Sequence, residues 1–311
     1  MMTKFSLFLQ GIVNKSFKQE AWLTKRIDAL IYMFRKSLLI MKIGIFYFSA
    51  TGVTNKYAKF IGNELEKLSN IVELINTLTI ASRTKKIDFS SYQACIFGFP
   101  VYGGRIPIVS EDWLQTLNGS NTKCSMFFTY GARALEWAHQ VTYYLLTKAN
   151  FDVILSAEFV GSHSFNVAKG WELARDRPND SDYKVAKEFA ELSYKRFQLQ
   201  INDWHIDLGG FIFQKQEQIL SKGPWKIFLP FRGEESCSMC YQCERECPTE
   251  SFNADTGKST DGVCISCMHC LLICPDNVIK VGDATEIFKG FAKKNNLSNE
   301  NVLAKKSKIL I

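Results

Sequence analysis

Eight of the ten cysteines fall between Cys237 and Cys274, in two copies of one spacing. Cys237, Cys240, Cys243 and Cys247 are followed by Pro248, and Cys264, Cys267, Cys270 and Cys274 by Pro275. Both runs read C-x2-C-x2-C-x3-C-P. Three cysteines at two-residue gaps on a tight loop can turn three sulfurs toward one iron–sulfur cluster, while loop N–H groups offset its negative charge. The fourth cysteine lies too far along to close the same cage and reaches the partner cluster instead. Cluster 1 is therefore expected on Cys237, Cys240, Cys243 and Cys274, and cluster 2 on Cys264, Cys267, Cys270 and Cys247. Zinc ribbons favour two C-x2-C knuckles per metal, and a disulfide framework spreads its cysteines through a small secreted domain. Neither pattern is present. His269, inside the second run, reads as a loop filler, because thiolates already complete the set.

A second constellation stands earlier in the chain, in loops that follow apolar runs. Met41–Phe48 is a short apolar run, and Ser49-Ala50-Thr51-Gly52-Val53-Thr54-Asn55 after it is rich in hydroxyls. A helical pattern then runs from Thr54 to about Leu68. Hydroxyls and the free N–H groups of a helix start make a phosphate cradle. There is no Walker lysine and no G-x-G-x-x-G, so a nucleoside triphosphate or a dinucleotide is not expected. Further strands are predicted at Ile71–Ile75, Tyr92–Phe99, Lys123–Tyr130 and Phe151–Val160. Helices are predicted at Ile108–Leu117, Ala134–Lys148 and Ser181–Gln198. This alternation predicts a doubly wound parallel α/β sheet, whose ligands bind outside the carboxyl ends of the strands. At those ends stand Pro100-Val101-Tyr102-Gly103-Gly104 after the third strand and Thr129-Tyr130-Gly131 after the fourth.

The three loops together, over residues 41–200, resemble the flavodoxin family. Its phosphate loop, S/T-x-T-G-x-T, is matched by Ser49, Thr51, Gly52 and Thr54. The resemblance implies FMN, with Val53 and Asn55 on the phosphate loop. Tyr102 would stack on the ring, Pro100, Val101, Gly103 and Gly104 would bring backbone to it, and Thr129, Tyr130 and Gly131 would run along its edge. Residues 235–281 resemble bacterial two-cluster 4Fe–4S ferredoxins, with Ser251-Phe252 and Val278-Ile279 where that family usually has Ala-Ile. The whole chain resembles the flavodoxin–ferredoxin fusion proteins. The implied fold is a flavodoxin-like five-stranded parallel sheet plus a small α+β ferredoxin domain.

The expected organisation is then a basic, helical extension at 1–40, the FMN domain at 41–200, an apolar connection at 201–234, the two-cluster domain at 235–281 and a basic tail at 282–311. Trp204, Leu208, Phe211, Ile212, Phe213, Trp225, Phe228, Leu229 and Phe231 make the connection too apolar for a flexible linker. Cys95 and Cys124 lie inside predicted strands and read as inert buried hydrophobes. His163 and Asn166, after the fifth strand, are candidates to line a substrate or flavin pocket, with a buried structural histidine as the commoner reading of His163, and Arg133 reads either as a partner of the flavin or of another protein or as a solvated helix-start arginine.

With 311 residues, 46% apolar and 22% charged, disorder and low complexity are excluded for the bulk of the chain. The net charge of +7 would suggest a polyanion partner, but the charge sits at the ends. Residues 1–40 carry seven basic groups against two acidic ones and residues 280–311 seven against three, which leaves −2 for the body between. Nucleic acid is therefore not an expected partner. For 1–40, with Trp22, Leu23, Ile27, Leu30, Ile31, Phe34 and Leu38 at helical spacing, three readings stand: an upstream extension of little function, a docked structural helix, or contact with an anionic membrane surface. The last is the least expected, and no run is long enough for a transmembrane helix. The lysine-rich tail reads as a solvated segment.

One flavin and two clusters together imply a cytoplasmic electron-transfer protein that passes electrons on to a redox partner. The alternative is an enzyme, a flavin-dependent reductase of a small organic acceptor fed by the ferredoxin part, with Tyr102, Arg105, Tyr130 and His163 shaping its pocket. Loaded clusters and a flavin phosphate, about −2 near neutral pH, would make the body more acidic still. A protein partner docking there is expected to present a basic face.

Overall fold

The computed structural model describes residues 40–199, 203–206 and 228–310. The extension expected at 1–40, but for its last residue, and most of the connection at 201–234 lie outside the described residues. From Lys42 onward the chain is one compact unit.

Its larger part is an α/β sandwich. Strands β1 (Lys42–Tyr47), β2 (Ile71–Asn76), β3 (Ala94–Pro100), β4 (Lys123–Tyr130) and β5 (Asp152–Val160) run parallel in the order β2-β1-β3-β4-β5. β1, β3, β4 and β5 are buried along nearly their whole length, as strands covered on both faces must be, whereas β2 is a half-exposed edge. Helices α1 (Val53–Lys67) and α5 (Asp180–Phe197) pack together on one face. Helices α3 (Ile108–Gln115) and α4 (Ala138–Lys148) pack together on the other, and a short α2 (Ile80–Thr84) follows β2. Under α3 and α4 the rings of Phe46, Phe89, Phe97, Trp113 and Phe151 interlock. Under α1 and α5, Tyr57 stacks on Phe159 at 4.7 Å, and Phe189 meets both Phe127 and Phe159. Gly98 is required at its place, because a Cβ there would stand 2.2 Å from the Phe127 ring.

The sheet has six strands, not the five expected. β10 (Lys308–Leu310) pairs antiparallel with the outer edge of β5, Ile309 opposite Ala157. Pairing there satisfies an edge that would otherwise be open. The return is pinned locally. Ser307 Oγ donates to Asp182 Oδ1 at 2.6 Å and accepts from Val160 N–H at 2.9 Å, while Trp204 Nε1–H donates to Leu310 C=O at 3.0 Å. The segment expected as a solvated tail is thus folded against the sheet. Its helix α8 (Thr285–Lys294) lays Phe288 and Phe291 on the buried ring of Trp171, and α9 (Asn299–Leu303) follows.

The cysteine-rich lobe is a small sheet of two-residue strands, β6 (Phe231–Arg232), β7 (Phe252–Asn253), β8 (Lys258–Ser259) and β9 (Ile279–Lys280), in the order β7-β8-β6-β9. Two short helices, α6 (Gln242–Arg245) and α7 (His269–Ile273), carry the third cysteine of each run. The sequence repeat is also a backbone repeat. Met239, Tyr241 and Glu250 adopt positive φ, and so do Ser266, Met268 and Asn277 at the matching places of the second run. Non-glycine residues adopt this conformation at a cost. Its recurrence at three matching places means that both loops are wound the same way around their cysteines.

Candidate functional site

A cavity of ≈ 440 Å³ opens at the carboxyl ends of β1, β3, β4 and β5. That size falls in the usual range for a small-molecule site. One end is the loop after β1. Gly52, at φ +90°, turns the chain sharply into α1, and no side chain caps the helix start. Lys56 N–H donates to Gly52 C=O, and the N–H groups of Val53 and Thr54 at the start of α1 are left for another acceptor. Ser49 Oγ accepts from Asn55 N–H at 3.1 Å, and the Thr54 and Thr129 hydroxyls meet at 2.8 Å, joining the first loop to the third. Hydroxyls and uncapped amides at a helix start suit an anion such as a phosphate monoester.

Eleven of the fourteen residues expected at the flavin line this cavity: Ser49, Thr51, Val53, Thr54, Pro100, Val101, Tyr102, Gly103, Thr129, Tyr130 and Gly131. The other three stand behind the wall. Gly52 supplies the turn. The Asn55 carboxamide accepts from Tyr47 OH at 2.8 Å. Gly104, at φ +88°, makes room for Glu136, which a Cβ would strike. Tyr102 is half-buried, set edge-on to Phe48 with ring centroids 6.3 Å apart, and tied to Arg105 through their backbones. The Arg105 guanidinium grips the buried Glu111 at 2.7 and 2.5 Å. Burial pushes the Glu111 carboxyl up, against the pull of Arg105. Arg133 pairs with Glu136 at 2.5 Å. Both arginines at the cavity are thus committed to carboxylates. Burial pushes the Tyr130 hydroxyl up, so it faces the cavity protonated.

The far wall comes from segments beyond the three loops. His163, Ser164, Phe165 and Trp171 follow β5, Ile265 and Ser266 belong to the second cysteine run, and Phe291, Lys294 and Asn295 come from the end of α8. Asn166 does not reach the cavity. Its amide donates to Ser162 Oγ and to Leu173 C=O, both at 2.8 Å, and holds the loop shape. Trp171 and Lys294 carry no motif. The only signal in sequence was the spacing of Phe288 and Phe291, one helical turn apart inside a lysine-rich stretch.

In the lobe, Cys247, Cys264, Cys267 and Cys270 line one small cavity, together with Ser251 and Thr249. Cys237, Cys243 and Cys274 pack with Cys247 and Cys270 around Phe252, Val278 and Ile279. The side chains that converge are all thiols, with hydrogen-bond donors among them. Ser266 N–H donates to Cys264 Sγ at 3.4 Å, and Ser251 Oγ lies 3.4 Å from Cys247 Sγ. Burial opposes the Cys247 thiolate, but bonds from Ser251, Thr249 and Phe252 outweigh it and hold its pKa below the usual thiol range. Burial pushes Cys267 up to about 12, against backbone bonds from His269 and from its own N–H. Among the described residues no group of three His, Cys, Asp or Glu side chains is placed to hold a single metal ion. A donor set of thiols with backbone amides around it fits iron–sulfur cages better than harder ions. His269, the expected loop filler, has a role of its own. Its Nδ1–H donates to Ala50 C=O in the first loop at 2.9 Å, and its Nε2 lies 3.1 Å from Glu246. Cys95 and Cys124 are fully buried, and burial raises both thiols far above their ordinary range.

Residues 44–152 match the family model described as Flavodoxin domain. This stretch is a flavodoxin domain. It spans β1 to the start of β5, and both cysteine runs lie outside it. Solved structures similar to the chain include a flavodoxin of Streptococcus pneumonia TIGR4, at 20% identity, covering 48% of this chain and 95% of that one with a TM-score of 0.36. They also include flavodoxin 2 of Bacillus cereus, at 16%, 50% and 97% with 0.37. A third is the rubredoxin oxygen:oxidoreductase of Desulfovibrio gigas, at 18%, 50% and 36% with 0.37. No curated protein matches the chain. Among the described residues no helix is long and apolar enough to cross a membrane.

Proposed function

We propose that this chain is a cytoplasmic electron relay in which FMN occupies the phosphate-loop end of the flavodoxin cavity and two 4Fe–4S clusters occupy the lobe. Cluster 1 is held by Cys237, Cys240, Cys243 and Cys274, and cluster 2 by Cys264, Cys267, Cys270 and Cys247. Bound flavin exchanges one or two electrons and clusters exchange one at a time, so the set converts between the two kinds of chemistry.

The observation that carries this reading is a shared wall. Ile265 and Ser266, between two cysteines of the second run, line the flavodoxin cavity. Cys267 belongs to the same apolar cluster as Val101 and Tyr102 of the second flavodoxin loop. The two parts are tied by directional bonds as well as packing. His269 donates to Ala50, and Arg83 Nη2 donates to the carbonyl of Pro248, which follows Cys247, at 2.5 Å. A loop docked this way does not swing away, so the spacing between flavin cavity and inner thiols is fixed. The outer run is half-buried and is the place for a redox protein partner with a basic face.

The test is chemical analysis of the purified chain, followed by a potentiometric titration. One FMN and about eight irons per chain are expected. Electron transfer to a protein partner should slow as salt is added. A chain with iron and no flavin, or flavin and no iron, overturns the reading.

A further inference from the structure

The far wall of the cavity has a chemistry of its own. His163 Nδ1 accepts the N–H of Phe165 at 3.1 Å, which puts the ring proton on Nε2. Burial, with the charge of Arg133 beside it, holds the ring pKa down to about 4, so His163 is neutral near pH 7. Its Nε2–H has no hydrogen-bond partner among the described residues, so it is a fixed donor left for a ligand in the cavity that His163 lines. The ring leans on Trp171 at 5.2 Å, and Phe291 lies 5.0 Å beyond. The charge here is also uneven. Glu136 is the one carboxylate among the lining residues, and Arg133 holds it. Lys294, at the mouth, makes no ion pair among the described residues, so the uncommitted charge is positive.

We propose that His163, Phe291 and Lys294, backed by the buried ring of Trp171, form a binding site for a second, small organic molecule beside the flavin: a planar ring bearing a carboxylate. The half-buried Phe291 ring takes the ligand ring, and the His163 donor and the Lys294 ammonium take the anion. The inference rests on the reading that FMN occupies the phosphate-loop end, where the hydroxyls of Ser49, Thr51 and Thr54 stand. It gives the covered cavity an occupant that an electron carrier serving only proteins would not need.

The test titrates benzoate into the FMN-loaded full chain and follows flavin visible absorbance. A saturable difference spectrum is expected. His163→Ala should weaken binding about tenfold or more, as loss of a hydrogen bond to a charged group does. Lys294→Gln, at an exposed position, should weaken it a few-fold and remove much of its salt dependence. His163→Gln, which restores an N–H donor, should recover part of the loss. No saturable change, or binding indifferent to both His163→Ala and Lys294→Gln, overturns the inference while tight FMN binding still upholds the reading it rests on. If His163→Ala instead releases FMN, the donor serves the flavin and the second site is overturned. A chain that takes up no FMN overturns both.

Discussion

The two cysteine runs have one spacing and one backbone winding, yet their matching residues live in different surroundings. Met239 is 37% exposed, and its counterpart Ser266 is buried in the flavodoxin cavity wall. Tyr241 is 36% exposed, and its counterpart Met268 is fully buried against Phe165, Trp171 and Phe228. The first three cysteines of run two are buried and those of run one are half-buried. Local sequence decides how each loop wraps its cysteines. The residues between the cysteines decide which loop is wedged into the protein and which stays at the surface.

The largest expected difference between the runs is in what each cluster touches. Cys267→Ala should cost about half the iron and cut the flavin off from the remaining cluster. Cys240→Ala should cost the same iron and leave the flavin in contact with the inner one. Iron analysis and EPR of the two variants check this. Next, the packing behind the inner loop should dominate stability. Trp171→Ala should destabilise by about 3–5 kcal/mol in denaturant unfolding, as loss of a fully buried aromatic does. Leu272→Ala, at a site 52% exposed, should stay within about 0.5 kcal/mol.

A smaller contrast lies one residue before the third cysteine of each run. His269→Ala removes the bond to Ala50 and should cost about 1–2 kcal/mol and loosen FMN binding. Gln242→Ala at the matching place should change neither, which a parallel FMN titration would read. The smallest effect is at acid pH. Burial opposes the Asp182 carboxylate, but bonds from Arg177, Ser307 and Asn179 outweigh it and hold its pKa below the ordinary value of 3.8. A carboxyl depressed on folding adds stability that is present above its unfolded pKa and is lost as pH falls through its folded one. Acidification below about pH 4 should therefore free β10 before the sheet opens, measured by hydrogen exchange of residues 308–310. Asp182→Asn should flatten that dependence.

The parallel strands were legible because their apolar runs are continuous and each is followed by a helical period. The three loops were legible because glycine, hydroxyl and aromatic residues stand where those strands end. β10 was not, because three residues after a lysine-rich stretch carry no periodicity and only an open edge on β5 makes them a strand. The far wall was hidden for the same kind of reason. His163 was a candidate by position alone, while Trp171, Phe291 and Lys294 meet it only through tertiary packing. His269 looked like filler because its partner Ala50 is far away in sequence.

The inner thiols and the flavodoxin cavity share a wall, and in the proposed relay that wall makes them one redox path. A reductive titration of the full chain, followed together by visible absorption and EPR, tests it most directly. One flavin and two 4Fe–4S signals are expected, with the signal that Cys267→Ala abolishes being the one magnetically coupled to the flavin. A flavin signal independent of both clusters, or coupled instead to the cluster that Cys240→Ala removes, would contradict it.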